Sequence, residues 1–284
     1  MNITFLGTAA ANAFPEAFCK CGNCEEARRL GGRSLRKRSS VLVNDDLLID
    51  LGPDIMAASQ MHGISLLNVK YCLQTHPHAD HLDLSHLLSR SPGYGVVGAP
   101  VLNFHASAQT LARAAATFER DLAGYGLLSP GAEKVLNLRM HAVEPLQPFF
   151  CGKYSVTAFP ANHAPTMGAM LYAVQGDGRT VFYGADTATL PEAIWQAFHQ
   201  QKFLFDLLIL DHTYGLNQPG KDHLSARQFI DHVDRMRHES LLGPNARVFA
   251  THIAHEGNPA HGELEEFARQ NGYEVAYDGL VLEI

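Results

Sequence analysis

Short apolar runs separated by turn residues dominate the hydrophobic pattern of this chain. Runs rich in β-branched and aromatic residues predict strands, whereas apolar positions that recur every three to four residues predict amphipathic helices. The predicted strands are residues 2–6, 39–43, 46–50, 69–74, 101–105, 154–159, 169–175, 180–184, 206–210, 246–250 and 280–284. The predicted helices are residues 53–61, 81–90, 107–123, 190–201, 225–239 and 261–270. This interleaving indicates a mixed α/β protein.

Turn and cap residues support these boundaries. Asn44-Asp45 and Gly176-Asp177-Gly178 predict hairpin turns, and Ser225 predicts a helix N-cap. No repeat, low-complexity stretch or linker interrupts the pattern, so we predict a single domain over residues 1–284. Residues 91–150 are the least regular part. Because they lie between two groups of candidate ligands, we interpret them as a segment that covers the active site.

The most informative segment is Thr75-His76-Pro77-His78-Ala79-Asp80-His81, which follows a predicted buried strand. His76 and His78 alternate on one side of an extended backbone, and we expect Asp80 and His81 in the first turn of the next helix. Imidazole together with carboxylate selects zinc, manganese or iron over calcium or magnesium. A polar loop without a metal is the alternative, but crowding these groups is costly without a cation.

Three further candidates each follow a predicted strand: His163, Asp186 and His252. The ordered set resembles the signature of the metallo-β-lactamase superfamily of binuclear metallohydrolases. That resemblance implies an αββα sandwich with the metal site at one edge, between the two sheets. It also implies the ligands: His76, His78 and His163 for one metal, Asp80, His81 and His252 for the other, and Asp186 as the bridge.

Two neighbouring cations need a shared anionic ligand and can hold a bridging hydroxide as the nucleophile. Bound water becomes acidic near neutral pH, so the missing group is an acid for the leaving group. His223, before a predicted helix, is our candidate, with a purely structural His as the alternative. Asp50, Asp211 and Asp278 close strands and are candidates to orient ligand imidazoles, with turn or cap duty as the alternative.

Three cysteines, Cys19, Cys21 and Cys24, lie within six residues and predict a structural zinc that needs a fourth ligand from elsewhere. Together with Thr251-His252-Ile253-Ala254-His255, this Cys-x-Cys-x-x-Cys motif resembles the phosphodiesterases of the carbon–phosphorus lyase pathway. The resemblance implies His255 as the fourth zinc ligand and His223 as the general acid. The extended segment 91–150 departs from that family and leaves the substrate open.

Composition and charge limit the classes of partner that we expect. The net charge of −7 does not favour nucleic acid, and no apolar stretch is long enough for a membrane span. Without a recognisable signal segment we expect a cytoplasmic protein that acts on a small phosphorylated substrate, with a homodimer left open. A basic run within residues 28–38 is either a solvated loop or an electrostatic guide for that substrate.

These observations predict a binuclear metal-dependent hydrolase, a phosphodiesterase acting on a small cyclic or open diester. It uses two zinc or manganese ions and one structural zinc. A zinc-dependent RNA-processing endonuclease is one alternative, but it should carry a basic surface. A quinone-cofactor-biosynthesis accessory protein is another, although the resemblance implies an incomplete histidine loop for that group. A non-catalytic metal-binding module and a lactone or thioester hydrolase complete the alternatives.

Overall fold

Two seven-stranded sheets face each other at the centre of the computed structural model, which describes residues 1–120, 126–217 and 219–284. The first sheet contains, in spatial order, β14 (Val281–Glu283), β1 (Asn2–Gly7), β2 (Ser40–Val43), β3 (Leu47–Ile49), β4 (Tyr71–Leu73), β5 (Leu102–Ala106) and β6 (Leu138–Ala142). The second contains β13 (Glu274–Val275), β12 (Leu242–Thr251), β11 (Phe205–Asp211), β10 (Arg179–Gly184), β9 (Met170–Gly176), β8 (Tyr154–Pro160) and β7 (Pro148–Cys151).

Helices cover the outer face of each sheet, which confirms the predicted αββα sandwich. The first sheet carries α2 (Ile55–His62), α3 (Ser85–Ser89), α4 (Ala108–Phe118) and α5 (Ala132–Leu136). The second carries α1 (Gly22–Leu30), α6 (Glu192–Gln200), α7 (Ala226–His238) and α8 (His261–Gln270). None of these described helices is long and apolar enough to cross a membrane.

Alternating side chains of the central strands feed two different cores. In β11, Leu207 and Ile209 point between the sheets, whereas Leu208 and Leu210 pack under the outer helices. A strand buried on both faces reads as a continuous apolar run, which is why the sequence pattern located it. The core between the sheets draws on side chains from Ile3 to Leu282, and we retain the proposal of one domain over residues 1–284.

Strand direction decides where the site forms. In the first sheet β3, β4, β5 and β6 run parallel, and in the second β10, β11, β12 and β13 do. Two antiparallel pairings, of β8 with β9 and of β9 with β10, give β8 the same direction as β10. The C-terminal ends of these strands therefore meet at one edge of the sandwich, where the connecting loops carry function.

The turn and cap predictions are confirmed. Asp177 and Gly178 both have positive φ in the hairpin between β9 and β10, as a two-residue hairpin turn requires. Ser225 forms a capping box with Gln228 at the start of α7. These positions could be predicted from sequence because a turn needs residues that adopt positive φ, and a helix N-terminus needs a side chain that accepts from a backbone amide.

One helix begins later than predicted. The segment that starts at His81 is not helical until Ser85, so Asp80 and His81 do not lie in a first helical turn. They lie instead in a tight turn closed by the bond from Leu82 N to His78 O, 2.9 Å. The amide of Asp83 donates to Leu51 O at 2.8 Å, so it is not available to an earlier helical turn.

Several elements were not predicted: α1, α5, β6, β7 and β13. The sequence of α1 contains Gly22 and Cys24, which have low helix propensity, and β7 begins with Pro148 at a sheet edge. The helix predicted over 107–123 is α4, which ends at Phe118, and residues 121–123 lie outside the described residues.

Candidate metal centre

Seven candidate ligands converge at the loop edge of the sandwich, in two adjacent groups. The first group is His76, His78 and His163, whose nearest nitrogens lie within 4.8 Å of one another. His78 Nδ1 is 2.8 Å from His76 Nε2 and 3.3 Å from His163 Nε2. The loops after β4 and β8 thus bring together the first of the two predicted ligand sets.

The second group is Asp80, His81, Asp186 and His252. Asp80 Oδ2 lies 3.2 Å from His81 Nε2, and Asp186 Oδ2 lies 3.0 Å from His252 Nε2. The other carboxylate oxygen of Asp186, Oδ1, faces the first group at 3.8 Å from His163 Nε2. Asp186 therefore presents one oxygen to each group, as a bridging ligand must.

The two groups differ in electrostatic character. Burial lowers the pKa of His76 well below its usual range and also lowers the pKa of His78, which favours the neutral form of these two imidazoles. In the other half, burial opposes ionisation of Asp186, but His252 and His81 hold the pKa of its carboxyl well below its usual range. Burial likewise opposes protonation of His81, yet the carboxylates, with Asp186 foremost, raise its pKa well above 6.5. The group formed by Asp80, His81, Asp186 and His252 therefore stabilises positive charge.

The donor set fits divalent cations. Asp186 Oδ2 is buried and, among the described residues, has no hydrogen-bond partner, although two imidazole nitrogens face it. Its carboxylate can only accept, and His81 donates from Nδ1 to Asp50. A cation that displaces the proton on His81 Nε2 would therefore meet a lone pair there, facing Asp80 and Asp186. Lone pairs that converge in this way are compatible with burial when a cation lies between them.

Backbone conformation also marks this site. Asp50, Asp186 and His252 adopt positive φ values of 67°, 55° and 58°. Such conformations are uncommon outside glycine and are tolerated best by Asp and Asn. They cluster here at the ends of strands, where the backbone must turn sharply to aim a side chain at the site.

Two buried carboxylates support the candidate ligands from behind. Asp50 does so directly and through a threonine, and Asp211 does so through a threonine. Asp50 accepts from His81 Nδ1 at 2.7 Å and from Thr75 Oγ1 at 2.8 Å, and Thr75 Oγ1 lies 3.0 Å from His76 Nδ1. The carboxylate thereby fixes one ligand in each half. Asp50 thus makes the contacts expected of an orienting residue, while Thr75 had no sequence signal beyond its place next to His76.

Asp211 repeats this arrangement on the other side. It lies 2.9 Å from His223 Nδ1 and accepts from Thr213 Oγ1 at 3.0 Å, and Thr213 Oγ1 lies 2.7 Å from His252 Nδ1. Asp278, by contrast, was wrongly assigned to this role. Its carboxylate accepts from Thr8 Oγ1 at 2.8 Å, away from the ligand imidazoles.

We predict that Asp50→Asn weakens binding of the active-site metals by about 10- to 100-fold, the usual effect of removing an outer carboxylate. Asparagine fits the left-handed backbone at this position, so the fold should persist. Competition with a chromophoric chelator measures the affinity, and circular dichroism checks the fold. Wild-type affinity in a folded Asp50→Asn protein would contradict the orienting role.

The three cysteines and His255 form a separate group. The Sγ atoms of Cys19, Cys21 and Cys24 and a ring nitrogen of His255 lie within 4.8 Å of one another, as the resemblance implied. Burial raises the pKa of Cys24 to about 12. Burial acts the same way on Cys21, but hydrogen bonds from the Cys24 backbone and His255 bring its pKa to about 7. Cys21 is the N-cap of α1, and the helix dipole at this end favours a negatively charged thiolate.

We expect this Cys3His group to hold its zinc through mild chelation that strips the other metals. A closed four-ligand site leaves no open position for a competing chelator. Elemental analysis should then find about one zinc per chain, and Cys24→Ser should lose it. Zinc-free protein after this treatment would contradict the assignment.

Side chains of the basic run within residues 28–38 are engaged with partners outside the cavity wall. Arg38 pairs with Asp54 at 2.7 Å, Arg33 with Glu265 at 3.7 Å, and Arg36 is buried with its guanidinium on Thr8 Oγ1 at 2.8 Å. None of the basic side chains of this run lines the cavity beside the ligands. The structure favours the alternative, a run held by ion pairs and buried hydrogen bonds.

A cavity of about 440 Å³ opens onto the ligands. Its walls combine six predicted site residues with three rim segments: His78, Asp80, His163, Asp186, His223, His252, and residues within 10–12, 213–217 and 254–256. No described residue of segment 91–150 is part of this wall. The covering role of that segment stays a prediction.

Comparison with known proteins agrees with this geometry. The sequence model of the family described as the beta-lactamase superfamily domain matches residues 46–253. The chain belongs to this family. Its fold is the metallo-β-lactamase fold, which is that of metal-dependent hydrolases.

Individual members of the superfamily differ in what they do. The chain is 25% identical over 327 aligned positions to coenzyme PQQ synthesis protein B of Cupriavidus necator, with 98% of each chain covered. A diphosphatase from the PhnP family has a TM-score of 0.72 and 22% identity, covering 100% of this chain and 96% of the other. Zinc-bound PqqB from Methylobacterium extorquens has a TM-score of 0.70 and 20% identity over the full length of both chains. At these identities the solved structures show the fold alone.

Proposed function

We propose that this protein is a metal-dependent phosphodiesterase that acts on a small diester. The observation that carries the proposal is the position of His223, a proton donor beside the seven converging ligands. His223 Nδ1 lies 3.6 Å from Asp186 Oδ1 and 2.9 Å from Asp211 Oδ2. A site with metal ligands on one side and an oriented imidazole on the other suits a leaving group that departs as an alkoxide.

Asp211 determines which nitrogen of His223 carries a proton and raises the pKa of that imidazole. Because a carboxylate only accepts, it holds the proton on His223 Nδ1, which leaves Nε2 as the nitrogen that can give a proton to the leaving oxygen. Burial lowers the pKa of His223, but the charge of Asp211 outweighs burial and raises it above 6.5. The charge of Asp211 therefore favours the imidazolium form of His223. This is the form that a general acid requires.

The residues that would hold metals are those in the two groups. We propose two zinc or manganese ions there, the first on His76, His78 and His163, and the second on Asp80, His81 and His252, with Asp186 between them. When bound, two such cations lower the pKa of coordinated water and stabilise charge on a phosphoryl group. The Cys3His group would hold one structural zinc.

The cavity supports a small substrate rather than RNA. Its volume of about 440 Å³ is in the usual range for small-molecule sites. A protein that binds RNA needs cationic side chains along the phosphate path, yet no described lysine or arginine lines this cavity. The net charge of −7 points the same way.

A role in coenzyme PQQ synthesis is a second candidate, favoured by the similarity to protein B of that pathway over 98% of both chains. The complete set of seven ligands together with His223 favours catalysis over a purely accessory role. Restoration of PQQ formation in a bacterium that lacks its own protein B would support this second candidate.

A substrate panel tests the phosphodiesterase proposal. Metal-loaded protein is assayed with bis(p-nitrophenyl) phosphate, p-nitrophenyl phosphate and a simple lactone, with zinc and with manganese. We expect turnover of the diester to exceed turnover of the other two. Turnover of the lactone alone would overturn the proposal in favour of an acyl hydrolase.

A further inference from the structure

The wall of the active-site cavity is uncharged or acidic apart from its histidines. Beyond the candidate ligands and His223, the polar side chains along it are Asn12, Thr213, Tyr214, Asn217 and Glu256. Among the described residues, no lysine or arginine contributes to the wall. Among the described wall residues outside the candidate ligands, Glu256 carries the one carboxylate. Asp222, which accepts from the Tyr214 hydroxyl at 2.5 Å, adds a second carboxylate next to the wall.

Glu256 is held in place by the structure beneath it. Its Oε1 lies 3.4 Å from His255 Nε2, and its backbone carbonyl accepts from Asn217 Nδ2 at 3.1 Å. The next buried side chain, Asn258, donates from Nδ2 to the carbonyls of His212, Thr213 and Ala254. These bonds fasten the segment that carries Glu256 to the loop after β11. The backbone of Glu256 is thereby fixed at the cavity mouth.

We infer that Glu256 selects substrates by charge, and that the natural diester carries no second phosphate on its leaving portion. This inference rests on the proposed phosphodiesterase function. A second phosphate would meet the carboxylates of Glu256 and Asp222, and no described lysine or arginine of the wall would neutralise it. Uncharged, hydroxyl-bearing groups suit the rim better, because the Asn12 and Asn217 side-chain amides can donate to them or accept from them. The Tyr214 hydroxyl donates to Asp222, so its oxygen is left to accept.

The expected effect is moderate because Glu256 is exposed, with 59% of its side chain accessible. A carboxylate that faces a phosphate dianion across several ångströms of water changes binding by about fivefold at low salt. Reversal of the charge, in Glu256→Lys, should change it by about 20-fold on the same reasoning. The effect should shrink in about 1 M salt, where the screening length falls to about 3 Å.

Two substrates with the same reacting group test the inference. Adenosine 2′,3′-cyclic phosphate is compared with the same nucleotide phosphorylated at its 5′ hydroxyl, and the ratio of their kcat/KM values is measured. The wild type should prefer the first, Glu256→Gln should narrow the ratio about fivefold, and Glu256→Lys should reverse it. Glutamine retains an oxygen for His255. An unchanged ratio in Glu256→Lys would overturn the inference.

A binding measurement separates this inference from the proposed function. Calorimetry on the metal-loaded protein compares adenosine 3′-monophosphate with adenosine 3′,5′-bisphosphate. If the protein cleaves neither diester, the phosphodiesterase proposal fails, but the ratio of the two Kd values still reports on charge selection. Glu263→Lys, an exposed position on α8, is the matched control and should leave the ratio unchanged. Equal ratios of the two Kd values in the wild type, Glu256→Lys and Glu263→Lys, or no binding to any of the three, would contradict a selective role for Glu256.

Discussion

Asp186→Asn should lower the turnover of bis(p-nitrophenyl) phosphate by about 10³-fold, because several kcal/mol of charge stabilisation depend on the metals that this carboxylate bridges. Asparagine keeps the shape of the side chain but removes its charge. It also adopts the left-handed backbone, φ 55°, more readily than alanine does. Metal analysis should show less than full occupancy of the two groups, with the Cys3His zinc retained.

Asp177→Asn is the matched control for this variant. Asp177 has a similar φ of 51° but lies in an exposed hairpin turn, where its carboxylate pairs with Lys153. The same chemical change should leave turnover and metal content at the wild-type level. An Asp186→Asn protein with full activity and both metals bound would contradict the bridging role.

His223→Ala should slow cleavage of an alkyl phosphodiester by about 10²- to 10⁴-fold, the usual contribution of general acid catalysis. A p-nitrophenyl diester should suffer much less, because its leaving group is already a stable anion. Paired kcat measurements on the two substrates give the difference directly. The metal content should stay unchanged, since His223 is not a metal ligand in this account.

Two results would contradict the role of His223. Equal losses on both substrates would assign it to substrate positioning, and loss of metal would make it a ligand. The second result is a real test, because ligand atoms of His223, Asp186, Asp211 and His252 also lie within 4.8 Å of one another. His199→Ala, at a half-exposed position that pairs with Glu239, is the control and should behave as the wild type.

The fold was predictable where each strand has a clear local pattern. Both faces of β11 are buried and give a continuous apolar run, and the Asp177-Gly178 turn specifies a hairpin. The edge strand β7 and helix α1 gave no such signal. These two elements are stabilised by tertiary contacts, such as the packing of Cys24 and Ala27 into the outer core. A short stretch of sequence does not contain the residues on the other side of such contacts.

Site residues were predictable when their chemistry is rare in a loop. The histidine motif was located by residue type and spacing, and the late strand-end residues were located by the resemblance to a known superfamily. The structure brings both sets together. Thr75 and Thr213 were not predicted, because a threonine beside a ligand has no distinctive pattern. Asp278 was assigned wrongly for a related reason: Asp residues at strand ends look alike in sequence, and only the fold shows which of them lies behind an imidazole.

A metal titration tests the central claim, a two-metal phosphodiesterase, most directly. Protein stripped of its exchangeable metals receives zinc or manganese in increments while cleavage of bis(p-nitrophenyl) phosphate is followed. We predict negligible cleavage before metal is added and full activity at about two equivalents of added metal per chain, beyond the zinc that the Cys3His group retains. Full cleavage by the stripped protein, or no cleavage at any metal concentration, would contradict it.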